Sequence, residues 1–310
     1  MKIIEPIAIT DAVLTNSNIA ATTYPPWDAV TNFALDDYVY VAGVAGRSYR
    51  TVYQSLIAGN VGIDPSSDDG TNWLEIGATD RFKPFDRRIS DPAVRASQIT
   101  YSLTPSSFCD GIAFFGLNAG TVRVQVFDDA SPEVEIYDET TDLVDTTEVV
   151  DWLSFFFGGV EYDTEAVLTG VPAYSGYRVA ITIDASSGNA EVGQIVLGKT
   201  QTIGTTLDGT AIGIEDFSTK ERDDFGNHAR IVEKPFADTT TYQVAVNSQD
   251  ARRIKRIIAR NRASPAVYFI DQTEAIRGFG TMVYGFFNDF EIPLSSGEKS
   301  FMSIEIEGLT

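Results

Sequence analysis

Apolar and polar residues alternate with period two along Thr121-Val-Arg-Val-Gln-Val-Phe127, Tyr177-Arg-Val-Ala-Ile-Thr-Ile183, Tyr242-Gln-Val-Ala-Val246 and Ser303-Ile-Glu-Ile-Glu307. That spacing predicts strands with one buried and one solvated face, and a mainly β chain. Clusters such as Ala185-Ser-Ser-Gly-Asn189 and Ser295-Ser-Gly297 supply turn chemistry between them. One segment has helical period instead, predicting a helix over 249–262. Ser248 is placed to cap it, Asp250 suits its positive end, and Ala251, Ile254, Ile257 and Ile258 form one apolar stripe. Ser264-Pro265 ends it, because the residue before a proline resists the helical region. Residues 2–9, Lys-Ile-Ile-Glu-Pro-Ile-Ala-Ile, alternate as a strand but have no local hairpin partner. Pairing with the carboxy-terminal domain, of the same chain or a neighbour, is therefore expected.

Four parts follow: an arm over 1–22, a small aromatic-rich β module over 23–88, a β-sandwich over 90–200, and a carboxy-terminal β domain with the one principal α-helix over 201–310. Within the third, Gly111-Ile-Ala-Phe-Phe-Gly-Leu-Asn-Ala119 resembles the central strand and turn of jelly-roll, galactose-binding-like domains. At 310 residues the chain is long enough for several cores. A net charge of −21 argues against nucleic acid and against an anionic membrane surface as partners. Neither a signal peptide nor a membrane-spanning apolar run is expected, which points to synthesis in a cytoplasm. Cys109 is the sole cysteine, so neither an internal disulfide nor a cysteine-based zinc site is expected, and its apolar neighbours suggest a buried thiol. No cofactor or metal is implied.

The aromatic module is the best handle on a ligand. Trp27, Tyr38, Tyr49, Tyr53 and Trp73 lie among Gly and Asp turns, and the run resembles the small chitin-binding modules of polysaccharide-degrading enzymes. In those modules a Trp opens the domain, a Gly-Asp turn and a Tyr-bearing strand follow, and a second Trp closes it; here Asp36-Asp37 replaces the Gly-Asp pair. The resemblance implies carbohydrate binding by these five rings, with Trp73 or Tyr53 foremost. A module of this size also needs large aromatic side chains merely to build a core, so a purely structural role is the other reading.

Charge is distributed in two poles. No Lys or Arg occurs between Val124 and Tyr177, while Asp128, Asp129, Glu133, Glu135, Asp138, Glu139, Asp142, Asp145, Glu148 and Asp151 crowd the first half of that stretch. The helix instead carries Arg252, Arg253, Lys255, Arg256, Arg260 and Arg262. An acidic face meeting a neighbour's basic helix would suit a head-to-tail homo-oligomeric ring, and solvated charge is the alternative. The spacing of a calcium loop is absent, Asp64-Pro-Ser-Ser-Asp-Asp-Gly70 being only a loose echo of it. Catalysis is not expected: the only histidine, His228, has no nucleophile elbow beside it, and 44 acidic residues make any carboxylate pair uninformative. A glycan-active enzyme with an appended binding module, or a free-standing lectin or adhesin, remains the alternative function.

Nearly the whole chain resembles a family of tailed-bacteriophage and prophage tail-tip proteins related in role to the distal tail protein of baseplates. The resemblance is carried by Phe82-Lys-Pro-Phe-Asp86, Gly111 to Ala119, Trp152-Leu-Ser-Phe-Phe-Phe157 and Ala190-Glu-Val-Gly-Gln-Ile-Val-Leu-Gly198. It continues in Ile214-Glu-Asp-Phe-Ser-Thr-Lys220, Asp223-Asp-Phe-Gly226, Arg262-Ala-Ser-Pro265 and Gly285-Phe-Phe-Asn-Asp-Phe290. It implies a structural virion protein of the tail tip, a ring of six copies contacting adjacent tail tube and baseplate proteins, and a peripheral domain that binds host-surface glycan.

Overall fold

The protein is described by a computed structural model covering residues 1–21, 23–145, 151–152, 157, 161–222, 228–270, 281–293 and 297–309, with the side chains of Ser186, Arg222, His228 and Ala229 left aside. Glu148, residues 153–156 and 223–226 of the tail-like motifs, and part of the expected turn at Ser295 lie outside the described residues. The fold is mainly β, 53% strand and 8% helix, with curled antiparallel sheets in a sandwich-like arrangement. The chain divides into two compact units, Ile7–Ile195 and a second made of Met1–Pro6 with Val196–Thr310.

In the second unit the strand Lys2–Pro6 lies between Gln194–Thr202 and Ala266–Phe269, antiparallel to both. Ile3 and Ile4 are fully buried, one on each side of the strand, as a central position requires. The sheet continues through Val283–Glu291, Lys299–Gly308 and Phe236–Asn247, whose far side pairs with Thr205–Thr206 and Ala211–Asp216. Glycine is needed at 198 because a Cβ there would run into the Glu5 carbonyl of the neighbouring strand. The expected amino-terminal arm is therefore not one element. Its first six residues complete this sheet within the same chain, while Leu14–Ser17 forms an edge of the other unit.

The helix runs over Ala251–Arg260 after a 3-10 turn at Ser248–Asp250. Ile254, Ile257 and Ile258 are buried with Tyr242, Tyr268, Met302 and Ile304, so the apolar stripe does what its spacing predicts. Ser248 does not cap the helix. It lies within the 3-10 turn, donating its amide to the Glu298 carbonyl at 2.9 Å and its hydroxyl to the Gly297 carbonyl at 2.8 Å. At the other end Asn261 donates its side-chain amide to the Ile257 carbonyl at 3.0 Å and to Glu5 at 3.1 Å, closing the helix against the amino-terminal strand.

In the first unit a five-stranded sheet runs Leu14–Ser17, Ala93–Leu103, Arg178–Val192, Thr121–Phe127, Glu135–Asp142. Cys109–Phe115 pairs with Glu165–Ala173 beside it. Val122, Val124 and Val126 are fully buried and alternate with Arg123 and Gln125, which reach the acidic outer strand. The Ala185–Asn189 cluster does not turn the chain back. It is an irregularity inside Arg178–Val192, where the register shifts between Asp184 and Asn189 and Gly188 has φ +79°.

The aromatic module is a three-stranded antiparallel sheet, Tyr38–Val41, Thr51–Ser55, Trp73–Ala78. Its exit, the Phe82–Asp86 segment, carries a 3-10 turn at Lys83–Phe85 with both phenylalanines buried. Phe85 sets its ring edge-on to Tyr101 of the long strand Ala93–Leu103, 5.5 Å between centroids. Arg50 pairs with Asp11 at 2.9 Å, and the Arg87 amide donates to Gln194. The module thus shares its compact unit with the sandwich strands.

Candidate glycan-binding site

Strand parity assigns the module's rings to two faces. Val39 and Val41 point to the side filled by Phe33, Tyr53 and Trp73, with Trp27, Val44 and Ile63 packed around them. Trp73 is 2% exposed, lies edge-on to Phe33 at 5.4 Å, and donates its indole N–H to the Ile63 carbonyl at 2.9 Å. Tyr53 and Tyr49 are 5% and 6% exposed. Burial raises both phenols above their ordinary range, although the Arg47 guanidinium, which donates to the Tyr49 hydroxyl at 2.7 Å, pulls the other way. Trp73, Tyr53 and Tyr49, three of the five rings expected to meet a sugar, therefore have no face free to do so. They are core, as a small module demands. Trp27 is half-buried over the same cluster with its indole nitrogen enclosed.

Tyr38 and Tyr40 point to the opposite face and are half-buried. Tyr24, from the entry segment, stacks on Tyr38 at 5.2 Å and 25°. Across the sheet from Tyr38 stands Gln54, which donates to Asp36 at 2.8 Å, and beyond it Leu74, 46% exposed. Arg50 lies over Tyr40, 5.4 Å from its centroid. This end of the sheet combines stacked phenol rings, an amide, a carboxylate and a small apolar step. Rings desolvate the C–H face of a pyranose, and the amide and carboxylate suit its hydroxyls. Tyr24 and Tyr40 are not among the five rings expected from the sequence; for Tyr40 the signal is the alternation Tyr38-Val-Tyr40-Val41, which puts it on the face of Tyr38.

Two loops hold this arrangement. Asp36 has φ +68°, a left-handed conformation natural to glycine and tolerated by aspartate. Asp68 accepts from the amides of Gly70, Asn72 and Trp73 and from the Asn72 side chain, at 2.8 to 3.1 Å. Although burial acts upward, these donors hold its carboxyl below the usual range. Asp64 accepts from Ser66, and Asp69 from Thr71. The echo of a calcium loop is thus a set of turn contacts. Among the described residues no group of three or more His, Cys, Asp or Glu is placed to hold a metal.

The charged residues read as assembly contacts lie in different units. On the helix Arg252, Lys255 and Arg256 face solvent; Arg253 reaches Asp250 at 3.5 Å and the Thr202 carbonyl at 3.1 Å, and Arg260 pairs with Glu5 at 2.8 Å. In the acidic stretch Glu133 pairs with Arg178 at 2.6 Å, Asp138 with Arg123, and Glu135 accepts from Gln125, while Asp128 accepts from the Val134 amide. Asp129 is exposed. Several of these side chains are therefore already engaged within the chain. Cys109 is buried, and burial pushes its thiol up to about 11, so it is a packing residue rather than a nucleophile.

Comparison with known proteins finds no matching family model, no matching curated protein and no matching solved structure. No helix among the described residues is long and apolar enough to cross a membrane.

Proposed function

We propose that this chain is a structural protein of a bacteriophage tail tip, a distal-tail-like ring subunit of about six copies, whose aromatic module binds host-surface glycan. The tail role rests on the resemblance carried by the sequence motifs. The glycan role rests on one observation: the stacked Tyr24–Tyr38 pair on the sheet face turned away from the module's own core. The solvent-facing cations Arg252, Lys255 and Arg256 and the exposed acidic strand Glu135–Asp142 support contacts between subunits or with adjacent tail proteins.

Retention on chitin and on host cell-wall polysaccharide tests the glycan part. Tyr38→Ala and Tyr24→Ala are expected to weaken it by roughly 10- to 100-fold each, on the scale of 1–3 kcal/mol per ring, with the thermal transition unchanged. Unchanged retention in both variants refutes the site. Native mass measurement with negative-stain imaging tests the ring, which is expected to weaken as salt shortens electrostatic range.

A further inference from the structure

The sheet of the second unit ends in an edge strand whose only charges, Glu215 and Asp216, stand at its carboxy-terminal end. Strand Ala211–Asp216 is exposed at every position. It pairs on one side with the first half of Phe236–Asn247, Ile212 opposite Thr240 and Ile214 opposite Asp238, and no strand among the described residues takes its other side. Ile212 and Ile214 are 62% and 68% exposed and share a face with Phe236, itself 54% exposed. Exposed edges usually carry charge, proline or a bulge that forbids further pairing. The other acidic edge does so: when Glu135–Asp142 is laid antiparallel on itself about its middle, Asp138 or Glu139 meets a carboxylate.

Ala211–Asp216 behaves differently under the same operation. Antiparallel to itself about Gly213, it places Ile212 of each copy opposite Ile214 of the other and Ala211 opposite Glu215, with no like charges facing. Two Ile–Ile pairs then form on one face, beside Phe236 from each copy. We propose that two copies of this chain pair through this edge on a two-fold axis at Gly213, giving one sheet continuous across the dimer. The contact is independent of the tail-tip reading and of the tyrosine face.

Sedimentation velocity of the full chain over about a hundredfold concentration range tests it. At about 1 M salt, where the charge-dependent ring contacts are screened, the parent is expected to show a reversible monomer–dimer equilibrium. Ile212→Lys with Ile214→Lys sets like charges opposite each other and should raise the dimer dissociation constant by roughly a hundredfold. Ile212→Glu with Ile214→Lys sets each Glu opposite a Lys of the other copy and should retain the dimer. Both pairs of substitutions are at solvent-exposed positions, and circular dichroism should not change. A parent that stays monomeric throughout overturns the proposal, as does a double-lysine variant that dimerises like the parent. Loss of dimer in the Glu–Lys variant overturns the two-fold register.

Discussion

Replacing Trp73 with alanine removes the largest side chain of the module core together with its bond to the Ile63 carbonyl. The expected cost is about 3–5 kcal/mol, read as a fall in urea midpoint. This separates Trp73 from Tyr38, whose loss should touch binding and not folding. Asp86 gives a pH-dependent counterpart. It is 4% exposed, and burial pushes its carboxyl from 3.8 up to about 6, against the pull of the Arg88 amide that donates to it. A raised folded-state value means that folding gains from a neutral Asp86 below pH 3.8 and loses that gain as pH rises through about 6. Above that pH the buried charge costs on the order of 2–3 kcal/mol. Asp86→Asn should therefore unfold at higher urea than the parent at pH 7 and nearly with it at pH 4. Equal midpoints at pH 7 would remove burial as the cause.

At the scale of elements, strands and helix were legible wherever one face is buried and one solvated. Val122, Val124 and Val126 against Arg123 and Gln125, and the isoleucine stripe of the helix, show their period directly in the chain. Parity would also have divided Tyr38 and Tyr40 from Val39, but residue type alone could not: the same aromatics serve core and surface, and only the cross-strand partners fix which face is which. The end of the helix was less legible than its middle, since Ser248 has the chemistry of a cap and is used in a turn instead. The amino-terminal strand was legible as a strand and not in its place, because its partners lie nearly 200 and more than 260 residues away. Its placement gives an element-scale prediction. Deleting residues 1–6 removes the buried Ile3 and Ile4 from the core and leaves Gln194–Thr202 and Ala266–Phe269 each without a partner on one side. The carboxy-terminal unit should then lose its cooperative transition while the Ile7–Ile195 unit keeps its own, as calorimetry and limited proteolysis would show. Two undisturbed transitions would mean the strand merely decorates the sheet.

For the molecule as a whole, that same strand sets the order in which the chain can mature. Lys2–Pro6 is synthesised well ahead of Ala266–Phe269, which flanks it and is made about 260 residues later, roughly 15–50 s at ordinary elongation rates. During that interval the intervening unit, Ile7–Ile195, is complete and free to fold. Ile3 and Ile4 wait uncovered by that partner for the same time. The yield of native sheet is therefore expected to depend on translation speed as well as on final stability, and slowing elongation should favour capture of the waiting strand by other chains.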